Sequence, residues 1–172
     1  MTTKKHSLIK KNVSCKNTSV LNKAICVLAE NNNNVSGTIE FIQYKNNLKI
    51  IYEVYGLSNG KHGFHIHAYG DLTESCSSTC GHFNPHNSQH GGLHSKHRHA
   101  GDLGNIISKN EVSKGVMYTK SVSLFHNNLN ILGRSIVIHD KEDDLGKGGN
   151  DESLVTGNAG KRLACGVIGL RK

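Results

Sequence analysis

Apolar and polar residues alternate over several short stretches of this chain, with the two-residue period of a strand that buries one face. Residues 35–44 read Val-Ser-Gly-Thr-Ile-Glu-Phe-Ile-Gln-Tyr, and residues 48–55 form a second β-rich run, joined to the first by a tight turn at Asn46-Asn47. Residues 24–29, 135–139 and 165–170 are compact apolar runs of strand length, and residues 115–123 alternate loosely. No stretch sustains a helical period. Two segments break the pattern: residues 68–103, polar and rich in glycine and histidine, and residues 140–161, polar with Gly146, Gly148, Gly149, Gly157 and Gly160. Loops of this length are uncommon in a compact domain unless they are functional or disordered. The pattern predicts an antiparallel, all-β domain with two long loops, preceded by a basic tail.

Composition narrows the picture. A chain of 172 residues suits one domain with one core, and 19 glycines against one proline and no tryptophan suit short strands and many turns. The formal charge of +8 attracts small anions and polyanions. No nucleic-acid-reading motif accompanies it and aromatics are only 5%, so nucleic-acid contact is expected to be weak and nonspecific at most. No stretch approaches the roughly 20 apolar residues of a membrane span. Residues 1–16 carry five lysines but lack the apolar core, about 7–15 residues long, of a secretory signal. An intracellular, cytoplasmic address is therefore expected. Asn- and Lys-rich stretches, residues 31–34 among them, suggest an AT-rich genome such as a parasite's or a large virus's; a viral source would make the address the virion or the host cytoplasm. Five cysteines leave at least one unpaired or paired between chains.

The histidines change the picture most. Nine of twelve fall between His62 and Asp102. His65-Ile66-His67 places two imidazoles on one face of a strand, because residues i and i+2 point the same way. His82, His90, His99 and Asp102 follow, and His139 closes the run Ser135-Ile136-Val137-Ile138 far downstream. Imidazole mixed with one carboxylate suits zinc and copper. Six histidines and Asp102 make seven candidate ligands, too many for one tetrahedral ion. Two four-coordinate ions need eight bonds, which seven residues supply if one imidazole bridges. Spacing alone does not say which.

The motifs Gly63-Phe64-His65-Ile66-His67, His82-Phe83-Asn84-Pro85, His90-Gly91-Gly92 and Arg98-His99-Ala100-Gly101-Asp102 resemble the metal loop of copper/zinc superoxide dismutases. Gly133-Arg134, His139-Asp140-Lys141, the run Asp143 to Asn150, Thr156-Gly157-Asn158-Ala159-Gly160 and Arg162-Leu163-Ala164-Cys165-Gly166 resemble the family's later landmarks, so the likeness runs from about residue 23 to residue 170. The resemblance implies an eight-stranded antiparallel Greek-key β-barrel, an immunoglobulin-like sandwich architecture of which this family is a standard example. It divides the chain into a tail, residues 1–22, and a dismutase domain, residues 23–172.

The resemblance further implies one copper per subunit on His65, His67, His82 and His139, and one zinc per subunit on His82, His90, His99 and Asp102. His82 becomes the shared ring, and Asp143 links His65 to His90 from outside both sets. The implied reaction is dismutation of superoxide to dioxygen and hydrogen peroxide, an antioxidant defence. Copper is alternately reduced and oxidised, zinc stays structural, His82 delivers a proton and Arg162 positions the anion. Cys76 and Cys165 match the family's intrasubunit disulfide. A homodimer through residues 167–170 and Leu132-Gly133, and loading by a copper chaperone, are family expectations.

Some residues depart from the family pattern. Cys80 replaces a usual glycine; it could stay a free thiol, pair with Cys76, or compete with it for Cys165. Val155 replaces a common lysine, while Asp151, Glu152 and Lys147 remain as charges near the site. His86, His94 and His97 are extra histidines, and His62 matches a structural hydrogen-bonding position. Two rival readings are a silent metal buffer or chaperone decoy, and the dismutase-like domain of a copper chaperone. The first is disfavoured because every ligand and Arg162 are present; the second, because no Met-x-Cys-x-x-Cys segment occurs.

Overall fold

A computed structural model describes residues 22–28 and 34–172. Residues 1–21, with the tail's lysines and Cys15, and residues 29–33, which include the end of the apolar run expected at 24–29, lie outside the described residues. Eight strands follow one another: β1 (Lys23–Leu28), β2 (Ser36–Gln43), β3 (Leu48–Tyr55), β4 (Gly60–His67), β5 (Asp102–Ser108), β6 (Val112–Thr119), β7 (Ser135–His139) and β8 (Arg162–Leu170). All pairings are antiparallel, in the order β5-β4-β7-β8-β1-β2-β3-β6. The two edge strands, β5 and β6, are consecutive in sequence. The turn between them bonds Lys109 to Val112 in both directions at 3.0 and 3.2 Å, so the sheet curls into a nearly closed Greek-key barrel. Asn110 and Glu111 both take positive φ there, as a tight hairpin requires.

The expected alternation is present where one face meets solvent. In β2, Ile39 and Phe41 are fully buried while Thr38 is exposed, and Phe41 stands opposite buried Ile50 of β3. In β4 and β7 the alternation vanishes. Residues 62–67 and all of β7 are buried on both faces, because the barrel core covers one side and the long loops cover the other. Ile66, Ile136, Ile138 and Phe64 belong to the core with Leu124, Ile131 and Ile168.

Three strands depart from the sequence expectation by more than a residue. The strand expected at 115–123 is β6, 112–119, displaced toward its hairpin. Strand β8 begins at Arg162, three residues before the apolar run. Strand β5 was not foreseen: Asp102-Leu103-Gly104-Asn105 opens with polar and glycine residues, yet Asp102, Leu103 and Gly104 are buried beneath the loops.

The long loops are tied to this frame. Loop 68–101 contains a 3₁₀ turn (Ser75–Thr79), and loop 140–161 contains one helical turn, α1 (Ser153–Thr156). A disulfide joins Cys76 in the first loop to Cys165 in β8, with Cα atoms 5.7 Å apart across 89 residues of sequence. Among the described cysteines, Cys26 is free and buried, and Cys80 is free and exposed, so Cys80 takes no part in that bridge. Burial pushes the Cys26 thiol up to about 12, which leaves it inert near neutrality.

Candidate metal centre

Strand geometry sets the first group of side chains. His65 and His67 project from β4, and His139 from the end of adjacent β7. His82 is drawn in from the loop by an isolated antiparallel bridge to His67. One nitrogen of each ring has an acceptor: His65 Nε2 lies 2.8 Å from Asp143 Oδ2, and His67 Nδ1 lies 2.7 Å from the Cys80 carbonyl. His82 Nδ1 lies 2.8 Å from Asp102 Oδ1, and His139 Nδ1 lies 3.3 Å from the Gly160 carbonyl.

The opposite nitrogens, His65 Nδ1 and the Nε2 atoms of His67, His82 and His139, are buried without a hydrogen-bond partner among the described residues. Ligand atoms of the four rings lie within 4.8 Å of one another. A buried polar atom without a partner is costly, so four together demand an explanation. With their other nitrogens facing acceptors, the four rings can offer lone pairs to one shared space. A cation there satisfies all of them. Burial, reinforced by the neighbouring His82, pushes His65 down to about 3 and His139 to about 4, and it holds His67 well below the ordinary range. These rings are therefore neutral, the state a ligand needs.

The second group is built around a carboxylate. Asp102 Oδ1 lies 2.8, 3.0 and 3.1 Å from the Nδ1 atoms of His82, His90 and His99. The His90 contact lacks hydrogen-bond alignment, which leaves that nitrogen formally unpartnered. Asp102 Oδ2 accepts from the backbone N–H groups of Gly91 (3.0 Å) and His99 (2.7 Å), which fixes the carboxylate in place. Burial would lower the His90 pKa, but the nearby Asp102 and Asp143 carboxylates outweigh that and raise it to about 9. His82 belongs to both groups, through Nε2 to the first and Nδ1 to the second.

Asp143 joins the groups from outside, its two carboxylate oxygens each 2.8 Å from a ring, His65 and His90. It is itself held by a reciprocal pair with Asn105: the Asp143 N–H donates to Asn105 Oδ1, and Asn105 Nδ2 donates to the Asp143 carbonyl, both at 2.8 Å. Gly157, at φ 67°, packs so closely that a Cβ would stand 2.0 Å from Asp143 Oδ1. Sequence reasoning did not single out Asn105 or Gly157 as contributors to the site. Asn105 acts on a backbone and Gly157 by lacking a side chain, and neither carries a ligand signature.

A cavity of about 630 Å³ opens onto the first group, lined among others by His67, His82, His139, Lys141, Thr156 and Arg162. Arg162 is pinned by loop 68–101: Nη1 donates to the Cys76 carbonyl (2.6 Å) and Thr79 Oγ1 (3.1 Å), and Nη2 to the Cys80 carbonyl (2.7 Å). A guanidinium carries five N–H groups, so donors remain for the cavity. Glu152 and Val155 also line it, whereas Lys147 lines a separate groove with Lys61 and Leu145. His62 lies outside both groups, its ring nitrogens 2.8 Å from the His139 carbonyl and 2.9 Å from the Ser58 carbonyl. Cys80, at φ 63° and ψ −153°, occupies a backbone region that is almost exclusively glycine's.

A Greek-key barrel that carries two adjacent imidazole-rich pockets, joined through one ring and linked again by one carboxylate, defines a binuclear metalloprotein. Comparison with known proteins gives the class its family. A family model for copper/zinc superoxide dismutase matches residues 35–168. The chain is 50% identical over 161 residues to superoxide dismutase [Cu-Zn] of Paramecium bursaria Chlorella virus 1, covering 91% of this chain and 86% of that protein. It is 48% identical over 148 residues to superoxide dismutase [Cu-Zn] A of Xenopus laevis (86% and 97% covered), and 48% identical over 151 residues to the extracellular superoxide dismutase [Cu-Zn] of Brugia pahangi (86% and 75% covered). The chain belongs to the copper/zinc superoxide dismutase family.

Proposed function

We propose that this protein converts two superoxide ions and two protons to dioxygen and hydrogen peroxide, with copper held by His65, His67, His82 and His139 and zinc by His82, His90, His99 and Asp102. The observation that carries the reading is the gathering of four buried imidazole nitrogens that have no hydrogen-bond partner among the described residues. When bound, copper supplies one-electron chemistry between its cupric and cuprous states, and zinc supplies charge and rigidity without redox change.

The chain's own residues do the rest. Arg162, always cationic and fixed by the Cys76 and Cys80 carbonyls, draws the anion to the cavity floor and orients it. His82 Nε2 can hold a proton and release it toward the forming peroxide, while Asp102 keeps Nδ1 engaged and the ring aimed. Lys141 adds positive charge to the cavity wall where Val155 offers none. Asp143 holds His65 and His90 in fixed orientations, which preserves the spacing of the two metal pockets.

The Cys76–Cys165 disulfide anchors the loop that positions Arg162. Two subunits are taken to pair through the exposed apolar residues Val167 and Leu170 at the end of β8, with Leu132-Gly133 beside them. Residues 23–172 form the catalytic unit in this reading and residues 1–22 an appendage. The proposed address is intracellular, with copper delivered by a chaperone. Sedimentation of the metal-loaded protein tests the dimer, and fractionation of the producing cell tests the address. Among the described residues, no helix is long and apolar enough to cross a membrane.

The direct test of the anion site compares the metal-loaded protein with Arg162→Ala. Electrostatic steering raises on-rates by roughly 10- to 1,000-fold, superoxide dismutase being a standard example, so kcat/KM is expected to fall at least about tenfold and to lose much of its salt dependence. An unchanged rate would remove Arg162 from the reaction.

A further inference from the structure

Arg134 lies just before β7 and touches no metal-facing ring, yet it contacts the chain beside two of them. Its Nη1 donates to the carbonyl of Ala68, the residue after His67, at 2.5 Å, and its Nε donates to the Asn130 carbonyl at 2.8 Å. Its guanidinium carbon lies 3.7 Å from the centroid of the Phe83 ring, on the residue after His82. No carboxylate pairs with Arg134 among the described residues.

The segment beneath it is closely stitched. The Phe83 N–H donates to the Ile66 carbonyl (2.8 Å), the Ile66 N–H to the Gly101 carbonyl (2.9 Å), and the Gly101 N–H to the Phe83 carbonyl (2.9 Å). Ala68 N–H donates to the Gly81 carbonyl at 2.9 Å, so His82 sits between two residues bonded to the end of β4. That backbone lattice sets how far His82 reaches from the strand. The Phe83 ring packs in the barrel core, and the guanidinium caps one of its faces. A planar guanidinium can stack on a ring with its face while its edge donates in plane to carbonyls; an ammonium cannot do both in one geometry.

We propose that Arg134 is a positioning residue for the shared ring of His82, clamping the residues that follow His67 and His82 to each other. The proposal rests on the reading that His82 serves both metal sets. Through the clamp, the entry to β7, the end of β4 and the His82 segment form one body. The spacing between the two metal pockets is then set partly by a side chain in neither.

The test uses Arg134→Met, Arg134→Lys and Phe83→Leu in the full chain. Zinc affinity is read by competition with a chromophoric chelator. The shared ring is read by the magnetic coupling of two cupric ions when copper fills both pockets. Outer residues that orient ligands typically carry roughly 10- to 100-fold in metal affinity. Arg134→Met is expected to weaken zinc binding about tenfold and to reduce the coupling. Arg134→Lys should fall between it and the parent, and Phe83→Leu should reproduce the loss with little added by combining it with Arg134→Met. Wild-type affinity and coupling in Arg134→Met, with only a lower melting temperature, would overturn the proposal and leave Arg134 a stability residue. If Arg134→Met fails to fold, Arg134→Lys and Phe83→Leu answer the same question, and parental values in both would overturn it. Absence of coupling in the parent protein would instead overturn the shared-ring reading, and the clamp with it.

Discussion

The two pockets that share His82 are built on opposite principles. The set of His65, His67 and His139 stands on β4 and β7, in the barrel wall, where burial has stripped the rings of protons. The set of His90, His99 and Asp102 belongs to loop 68–101 and the first residue of β5, and it centres on a carboxylate. In the second set the carboxylates of Asp102 and Asp143 raise His90 to about 9, so a proton can stand in for the cation in the metal-free chain. Nothing stands in for it in the first. One pocket is a neutral cluster of lone pairs held by a sheet; the other is an anion with imidazoles gathered around it. A rigid strand frame can hold repelling lone pairs together, whereas a loop needs a charge to organise it.

The largest break in this comparison comes from cutting the loop loose from the wall. Cys76→Ser opens a ring of about 90 residues, and on the chain-entropy model this lowers stability by roughly 4–5 kcal/mol. Urea unfolding of the metal-loaded protein measures it. The activity should fall as well, since the Cys76 carbonyl holds Arg162 at 2.6 Å.

Removing the organising anion should separate the pockets. In Asp102→Ala, zinc affinity is expected to drop by more than the roughly 10- to 100-fold that losing an outer partner costs, because all three imidazoles converge on Asp102 Oδ1. Copper affinity should fall far less, since the wall set keeps its frame. Competitive metal titration reads both, and equal losses would show that the two pockets are not organised differently.

Acid sharpens the contrast. His65 and His139 have folded pKa values of about 3 and about 4, below the ordinary value near 6.5. The unfolded chain thus binds more protons between those limits, so stability rises with pH across that window and is lost as pH falls through it. His90 has the opposite sign: its contribution is complete below about 6.5 and fades as pH rises toward about 9. The metal-free protein should therefore be less stable at pH 5 than at pH 7, as chelator-treated samples in urea will show. The smallest effect is expected at Cys80, where Cys80→Gly relieves a strained backbone and should raise stability by about 1 kcal/mol.

How much of this was legible in the sequence follows the same division. Strands with one wet face announced themselves: β3 falls at the expected limits and β2 within a residue of them, while β7, buried on both faces, was legible as a compact apolar run. Strand β5 did not, because its opening residues lie under the loops and its alternation is lost there. Histidine spacing pointed to two ions and one shared ligand. Only the structure shows that His82 turns Nδ1 to one group and Nε2 to the other. Asn105, Gly157 and Arg134 were silent as site residues for a common reason: they act on backbones and on ring orientations, through contacts that spacing along a chain does not encode.

A dismutase assembled from these residues must destroy superoxide. Its most direct test is the rate of superoxide decay with the copper- and zinc-loaded chain, followed by pulse radiolysis beside the same chain loaded with zinc alone. Rapid decay that requires copper and is lost in the zinc-only sample is the expected result. Stoichiometric binding of both metals with no acceleration of decay would contradict it and make the protein a metal carrier instead.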